Sequence, residues 1–135
     1  MHPFVCFTHV ISCTLGKYVC AEWSWGGYPY DIANVPNLHS RSSNPQWEEY
    51  MTAVVLNVTR EYRDLFADRG GPIMLGQVEN ELHTSDKPYI DYCGKLAEQT
   101  KVPIAWGMCN GVSANNTINT CNGGDCTGGF QAPRH

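Results

Sequence analysis

Charge is scarce in this chain of 135 residues: Asp, Glu, Lys and Arg make up 16% of it, against 42% hydrophobic residues. That balance argues for a globular chain rather than a disordered one. Positive charge is scarcer still, nine Lys and Arg against thirteen Asp and Glu, a formal net charge of −4 with no basic stripe. A nucleic-acid backbone needs dense positive charge, so no nucleic-acid partner is expected. No apolar run approaches the ~18–20 residues that cross a bilayer, so no membrane span is expected. There is no Cys-x-x-Cys pair, which deprives a zinc site of its usual ligand spacing. The five histidines are scattered and suggest no Ser/His/Asp or Cys/His set. Residues 1–15 are mildly apolar but lack a basic segment and a clear Ala-x-Ala cleavage site, and so make a poor signal peptide. No internal repeat is visible.

What the chain does have is cysteine, seven in all, at Cys6, Cys13, Cys20, Cys93, Cys109, Cys121 and Cys126. The odd count leaves at least one thiol unpaired within the chain. The triplets Asn57-Val58-Thr59 and Asn115-Asn116-Thr117 are glycosylation sequons. Together these features give a secretory-pathway location, extracellular or in a lysosome- or vacuole-like compartment, as the expectation.

Along the chain, Tyr18-Val19-Cys20-Ala21-Glu22-Trp23 is a β-prone run halted by Gly26-Gly27 and Pro29. An aromatic loop follows, with Trp25, Tyr28 and Tyr30, and then a polar stretch, His39-Ser40-Arg41-Ser42-Ser43-Asn44. Asn44 or Ser43 can cap a helix whose first position suits Pro45. Trp47, Met51, Val54, Val55, Val58, Tyr62, Leu65 and Phe66 recur at spacings of three and four, giving that helix one apolar face. Arg69-Gly70-Gly71-Pro72 is expected to end it. Ile73-Met74-Leu75-Gly76-Gln77-Val78 reads as a strand buried on both faces, terminating in Glu79-Asn80-Glu81. A second helix is expected over residues 88–99 and a third strand over residues 102–108. The Asn-, Gly- and Thr-rich tail from Asn110 reads as loop.

Strand, helix, strand, helix, strand predicts parallel strands with helical crossovers, an α/β fold. In such folds functional groups gather at the carboxyl ends of strands. Glu22 and Glu79-Asn80-Glu81 both lie at such ends. A carboxylic acid there is partly desolvated and suited to donate a proton, and a second carboxylate nearby can act as nucleophile or stabiliser. Trp23, Trp25, Tyr28 and Tyr30 offer apolar faces against which a sugar ring can pack. On these residues alone carbohydrate chemistry, metal binding, helix capping and plain solvent exposure all stay open.

At this point the sequence resembles a known family. Gly70-Gly71-Pro72-Ile73-Met74-Leu75-Gly76-Gln77-Val78-Glu79-Asn80-Glu81 is similar to the signature of glycoside hydrolase family 35, the β-galactosidases. Lys17 to Trp23, followed by Gly26-Gly27-Tyr28-Pro29, resembles a second family block, and Ile118-Asn119-Thr120-Cys121-Asn122-Gly123 with Cys126 a third. The resemblance implies hydrolysis of terminal β-galactose by a retaining enzyme on a (β/α)8 TIM barrel. Glu81 would be the general acid/base and Asn80 would hydrogen-bond the sugar 2-hydroxyl. Ala21, through its backbone, and Glu22, through its carboxylate, would bind galactose hydroxyls. Glu79 would be a structural partner, Trp106 barrel filling, and Trp25, Tyr28 and Tyr30 loop-packing residues. A β-galactoside is the expected substrate; no cofactor and no metal are expected. A Cys121–Cys126 disulfide is left open.

A complete barrel takes about 250 residues, so the resemblance implies a partial catalytic domain over residues 16–126, about the third to fifth βα units. Residues 1–15 match poorly and residues 127–135 read as an irregular tail. Leu82 stands where an aromatic residue normally follows the acid/base, Lys17 replaces the usual Pro, and Tyr30-Asp31-Ile32 interrupts a stretch that is usually apolar. The family nucleophile is a second Glu, and no matching segment follows Trp106, so impaired hydrolysis is the expectation for this chain. The alternatives are a non-catalytic galactose-binding fragment, a gene-model truncation, or a metal-binding module built on the cysteines.

Overall fold

The computed structural model describes residues 4–7, 10–14, 30–82, 84–109 and 114–121. Among these residues five strands form one sheet in the order β1-β2-β3-β4-β5: β1 (Phe4–Phe7), β2 (Val10–Thr14), β3 (Ile73–Glu79), β4 (Ala105–Cys109) and β5 (Ile118–Thr120). β1 runs antiparallel to β2, while the steps β2 to β3, β3 to β4 and β4 to β5 are all parallel. The expected parallel α/β arrangement is therefore present. The expected strand over residues 18–23 lies outside the described residues. Among the described residues β3 has two parallel neighbours, β4 and, on its other side, β2, which pairs Cys13 with Gly76 and Thr14 with Gln77. Five residues are too few to display a period, which is why this strand was not legible in the sequence.

Among the described residues three helices accompany the sheet: α1 (Tyr30–Ala33), α2 (Pro45–Glu61) and α3 (Lys87–Gln99). Asn44 caps α2, its side-chain oxygen accepting from the Trp47 N–H at 3.1 Å, and Pro45 occupies the first helical position, where no donor is lost. α2 ends at Glu61, earlier than its apolar spacing suggests. Two 3-10 turns, Arg63–Leu65 and Ala67–Arg69, carry the pattern onward. Between them Phe66 turns extended (φ −80°, ψ 150°) and is buried, while Leu65 is 42% exposed and leaves the apolar face. Gly70, at φ 82°, takes the left-handed position that closes the second turn.

α3 begins one residue before the expected start, capped by Asp86, and connects β3 to β4 while packing on β3 and α2. The core between helices and sheet holds Trp47, Met51 and Val55 from α2, Tyr89, Cys93 and Leu96 from α3, and Ile73, Val78, Trp106 and Met108 from the strands. Each such side chain stabilises the fold by about 1.5–3 kcal/mol relative to exposure. Trp106, expected as filling, is buried, and its ring lies on Gly76 of the neighbouring strand. A Cβ built at Gly76 would sit 2.4 Å from Trp106 Cζ3. Tyr30, expected to pack in its loop, is 84% exposed, whereas Ile32 two residues on is buried. β5 is a short strand within the tail that reads as loop. Among the described residues no helix is long and apolar enough to cross a membrane.

Candidate active site at the carboxyl end of β3

The β3–β4 register shifts between Gln77 and Glu79. Irregularities of this kind break the alternation of a strand and re-aim its last side chains. Consistent with this, the consecutive residues Val78 and Glu79 are both buried. The hydrophobic pattern thus delivers a carboxylate into the core, where an unpaired charge would be costly.

Glu79 is paired. Arg41 Nη2 donates to its Oε2 at 2.8 Å, and Arg41 Nε lies 3.2 and 3.3 Å from the two carboxylate oxygens. The Tyr89 hydroxyl donates to Oε1 at 2.6 Å, and the Asn80 N–H donates to Oε2 at 3.1 Å. Trp47 Nε1 in turn donates to the Tyr89 hydroxyl at 3.1 Å, with Met51 Sδ 3.2 Å from the same oxygen. Burial, reinforced by the negative Glu79 nearby, pushes the Tyr89 phenol far above its ordinary range, so it remains a proton donor. The same two causes push the Cys93 thiol up.

Asn80 and Glu81 follow, both partly buried. Gln77 Nε2 donates to Asn80 Oδ1 at 2.8 Å and to the Glu79 carbonyl at 2.9 Å, which fixes the direction of the Asn80 amide. Arg41 Nη2 also donates to the Asn80 carbonyl at 2.6 Å. Glu81 has φ 50°, a left-handed conformation that costs a non-glycine residue about 1–2 kcal/mol. The chain then rejoins the sheet, the Leu82 N–H donating to the Cys109 carbonyl at 3.0 Å. Leu82, the departure from the expected aromatic, is 3% exposed and belongs to the core cluster.

Of the residues singled out in the sequence, Asn80 and Glu81 stand side by side at the strand end, and Glu79 before them is buried and hydrogen-bonded to Arg41, Tyr89 and the Asn80 N–H. Ala21 and Glu22 lie outside the described residues. So does Cys126, while Cys121 is disulfide-bonded. Arg41, Tyr89 and Trp47 were not recognised as part of this site. Arg41 is 38 residues from Glu79, beyond any local spacing rule, and the two aromatics look like ordinary helix-face apolar residues. Among the described residues no three His, Cys, Asp or Glu side chains gather to hold a metal.

The family model described as glycosyl hydrolases family 35 matches residues 9–132. "Beta-galactosidase 14" of Arabidopsis thaliana is 35% identical over 136 residues, covering 93% of this chain and 15% of the relative. "Probable beta-galactosidase 2" of Dictyostelium discoideum is 35% identical, covering 89% of this chain and 17% of its own length. "Beta-galactosidase 11" of Arabidopsis thaliana is 36% identical, covering 91% of this chain and 16% of the relative. The chain therefore spans less than a fifth of the length of these relatives. With a family match over nearly its whole length, and the Asn-Glu pair of the signature at the end of a parallel strand, the chain belongs to glycosyl hydrolase family 35.

Proposed function

We propose that this chain carries the acid/base part of a retaining β-galactosidase site, acting on terminal β-D-galactose. The observation that carries the reading is the Asn80–Glu81 pair at the carboxyl end of β3, with the Asn80 amide oriented by Gln77. Glu81 is the proton donor and acceptor at the glycosidic oxygen. Asn80 binds the 2-hydroxyl, a contact that strengthens as the ring approaches the oxocarbenium-like transition state. The parallel order β2-β3-β4-β5 suits consecutive units of a (β/α)8 barrel, whose active site collects at this end of the strands. With no segment matching the family nucleophile, turnover by this chain alone is expected to be weak.

The test is galactose binding and turnover of an aryl β-galactoside, in the chain and in Glu81→Gln. Galactose binding, with residual turnover that falls by about 10²–10⁴ in Glu81→Gln, supports the reading. Strong turnover that survives Glu81→Gln overturns it, as does the absence of both binding and turnover. Binding with no turnover at all favours the non-catalytic galactose-binding alternative. Genomic sequence continuing in frame into a Glu-bearing seventh-strand segment would favour a truncated gene model.

A secretory location is part of the same proposal. Cys121 is disulfide-bonded, and disulfides persist in oxidising compartments. Asn57 on α2 and Asn115 in the turn before β5 are both exposed. A mobility shift on peptide-N-glycosidase treatment of the natively expressed protein checks it; no shift in either sequon peptide removes that support.

A further inference from the structure

One guanidinium grips two consecutive residues at the end of β3. Arg41 Nη2 reaches both the Glu79 carboxylate and the carbonyl oxygen of Asn80, at 2.8 and 2.6 Å. That carbonyl belongs to the peptide leading into Glu81, so its orientation sets where the Glu81 backbone starts. On the other side of the same residue the Asn80 N–H is held by Glu79 Oε2 at 3.1 Å. Both backbone groups of Asn80 are thus fixed through a single ion pair, and its side chain is fixed separately by Gln77. Glu79 itself is braced from the opposite side by the Tyr89 hydroxyl. Arg41 stands at φ 55° and Glu81 at φ 50°, left-handed backbones at both ends of the clamp. Such conformations persist only where surrounding contacts over-determine them.

We propose that Arg41 is a positioning residue: by bridging Glu79 and the Asn80 carbonyl it sets the Asn80–Glu81 peptide, and so the sugar-binding amide and the proton-transferring carboxyl. This rests on the galactosidase reading for the roles of Asn80 and Glu81, but the clamp is defined by its geometry alone. A lysine keeps the charge beside Glu79 yet presents a compact ammonium rather than a planar fork, and does not reproduce the two-way bridge.

The test compares the full chain with Arg41→Lys, using galactose and 2-deoxygalactose as probes in titration calorimetry, with melting temperatures measured alongside. Arg41→Lys should weaken galactose binding by about tenfold, the worth of one well-aligned hydrogen bond, while changing 2-deoxygalactose binding less than about twofold. A contact to the 2-hydroxyl is then what has been lost. Equal weakening of both sugars, or weakening that tracks the melting temperature, overturns the proposal and leaves Arg41 a fold-supporting residue. If the unsubstituted chain binds neither sugar, the galactosidase reading fails, and crystal structures of the two forms decide the clamp. Rotation of the peptide between Asn80 and Glu81, with Glu81 leaving positive φ, supports it; an unchanged backbone over residues 79–82 overturns it.

Discussion

Trp47 donates its indole proton to the Tyr89 hydroxyl at 3.1 Å, tying the first turn of α2 to the first turn of α3. The same hydroxyl donates to Glu79, so two helix starts and one strand end share a single oxygen. Asp86 doubles the connection by accepting from the Ser43 N–H at 2.7 Å, across the same junction.

Tyr89→Phe removes the proton given to a buried carboxylate and the acceptor of the Trp47 N–H while keeping the ring. A buried group deprived of its partner costs about 1–3 kcal/mol. The urea midpoint should drop accordingly with its slope unchanged; a midpoint within error of the parent would show that the shared oxygen contributes nothing.

Gly76→Ala should destabilise by about 1–3 kcal/mol, because its methyl group would meet the Trp106 ring in a packed interior. In a Trp106→Leu background the same change should cost distinctly less, since the obstructing ring is gone. Equal costs in the two backgrounds would place the strain somewhere other than the contact between β3 and β4.

Acid should act through Asp86. The Ser43 N–H first, and the Tyr89 N–H with it, hold its carboxyl below the usual Asp range. A group whose pKa is lowered by folding binds fewer protons in the native state than in the unfolded one. Its stabilisation is present above the unfolded value of ~3.9 and is lost as pH falls through the lower native value. Asp86→Asn retains a capping oxygen but does not titrate. Its melting temperature should fall less steeply than the parent's between about pH 4 and 2, and parallel curves would refute the linkage.

Cys93 is buried and its thiol is pushed up by burial and by Glu79, so the reactive thiolate is scarce at neutral pH. Iodoacetamide followed by peptide mapping should leave Cys93 unlabelled in the native chain and label it in urea. Rapid native labelling at Cys93 would contradict this burial.

The start of α2, the run of β3 and nearly all of α3 were legible because each carries a local signal: a cap with proline, an apolar run, a capped amphipathic period. The end of α2 was not, because two 3-10 turns continue an apolar spacing close to that of a helix. Thr59, read as neither core nor site, is buried by bonding its hydroxyl back to the Val55 carbonyl at 2.8 Å. The Asn80–Glu81 pair was found through its motif, whereas Arg41 was missed because an ion pair across 38 residues leaves no trace in local pattern.

The crowding around Glu79 has a chemical consequence. An ionised carboxylate offers about four lone-pair directions. Here Oε1 is met by Arg41 Nε and Tyr89, and Oε2 by both Arg41 nitrogens and the Asn80 N–H. No direction is left over with which to accept a further hydrogen bond, a sugar hydroxyl's included. Of the two glutamates that flank Asn80, the first is therefore saturated by the protein's own donors, a brace for the strand end rather than a ligand for anything outside it.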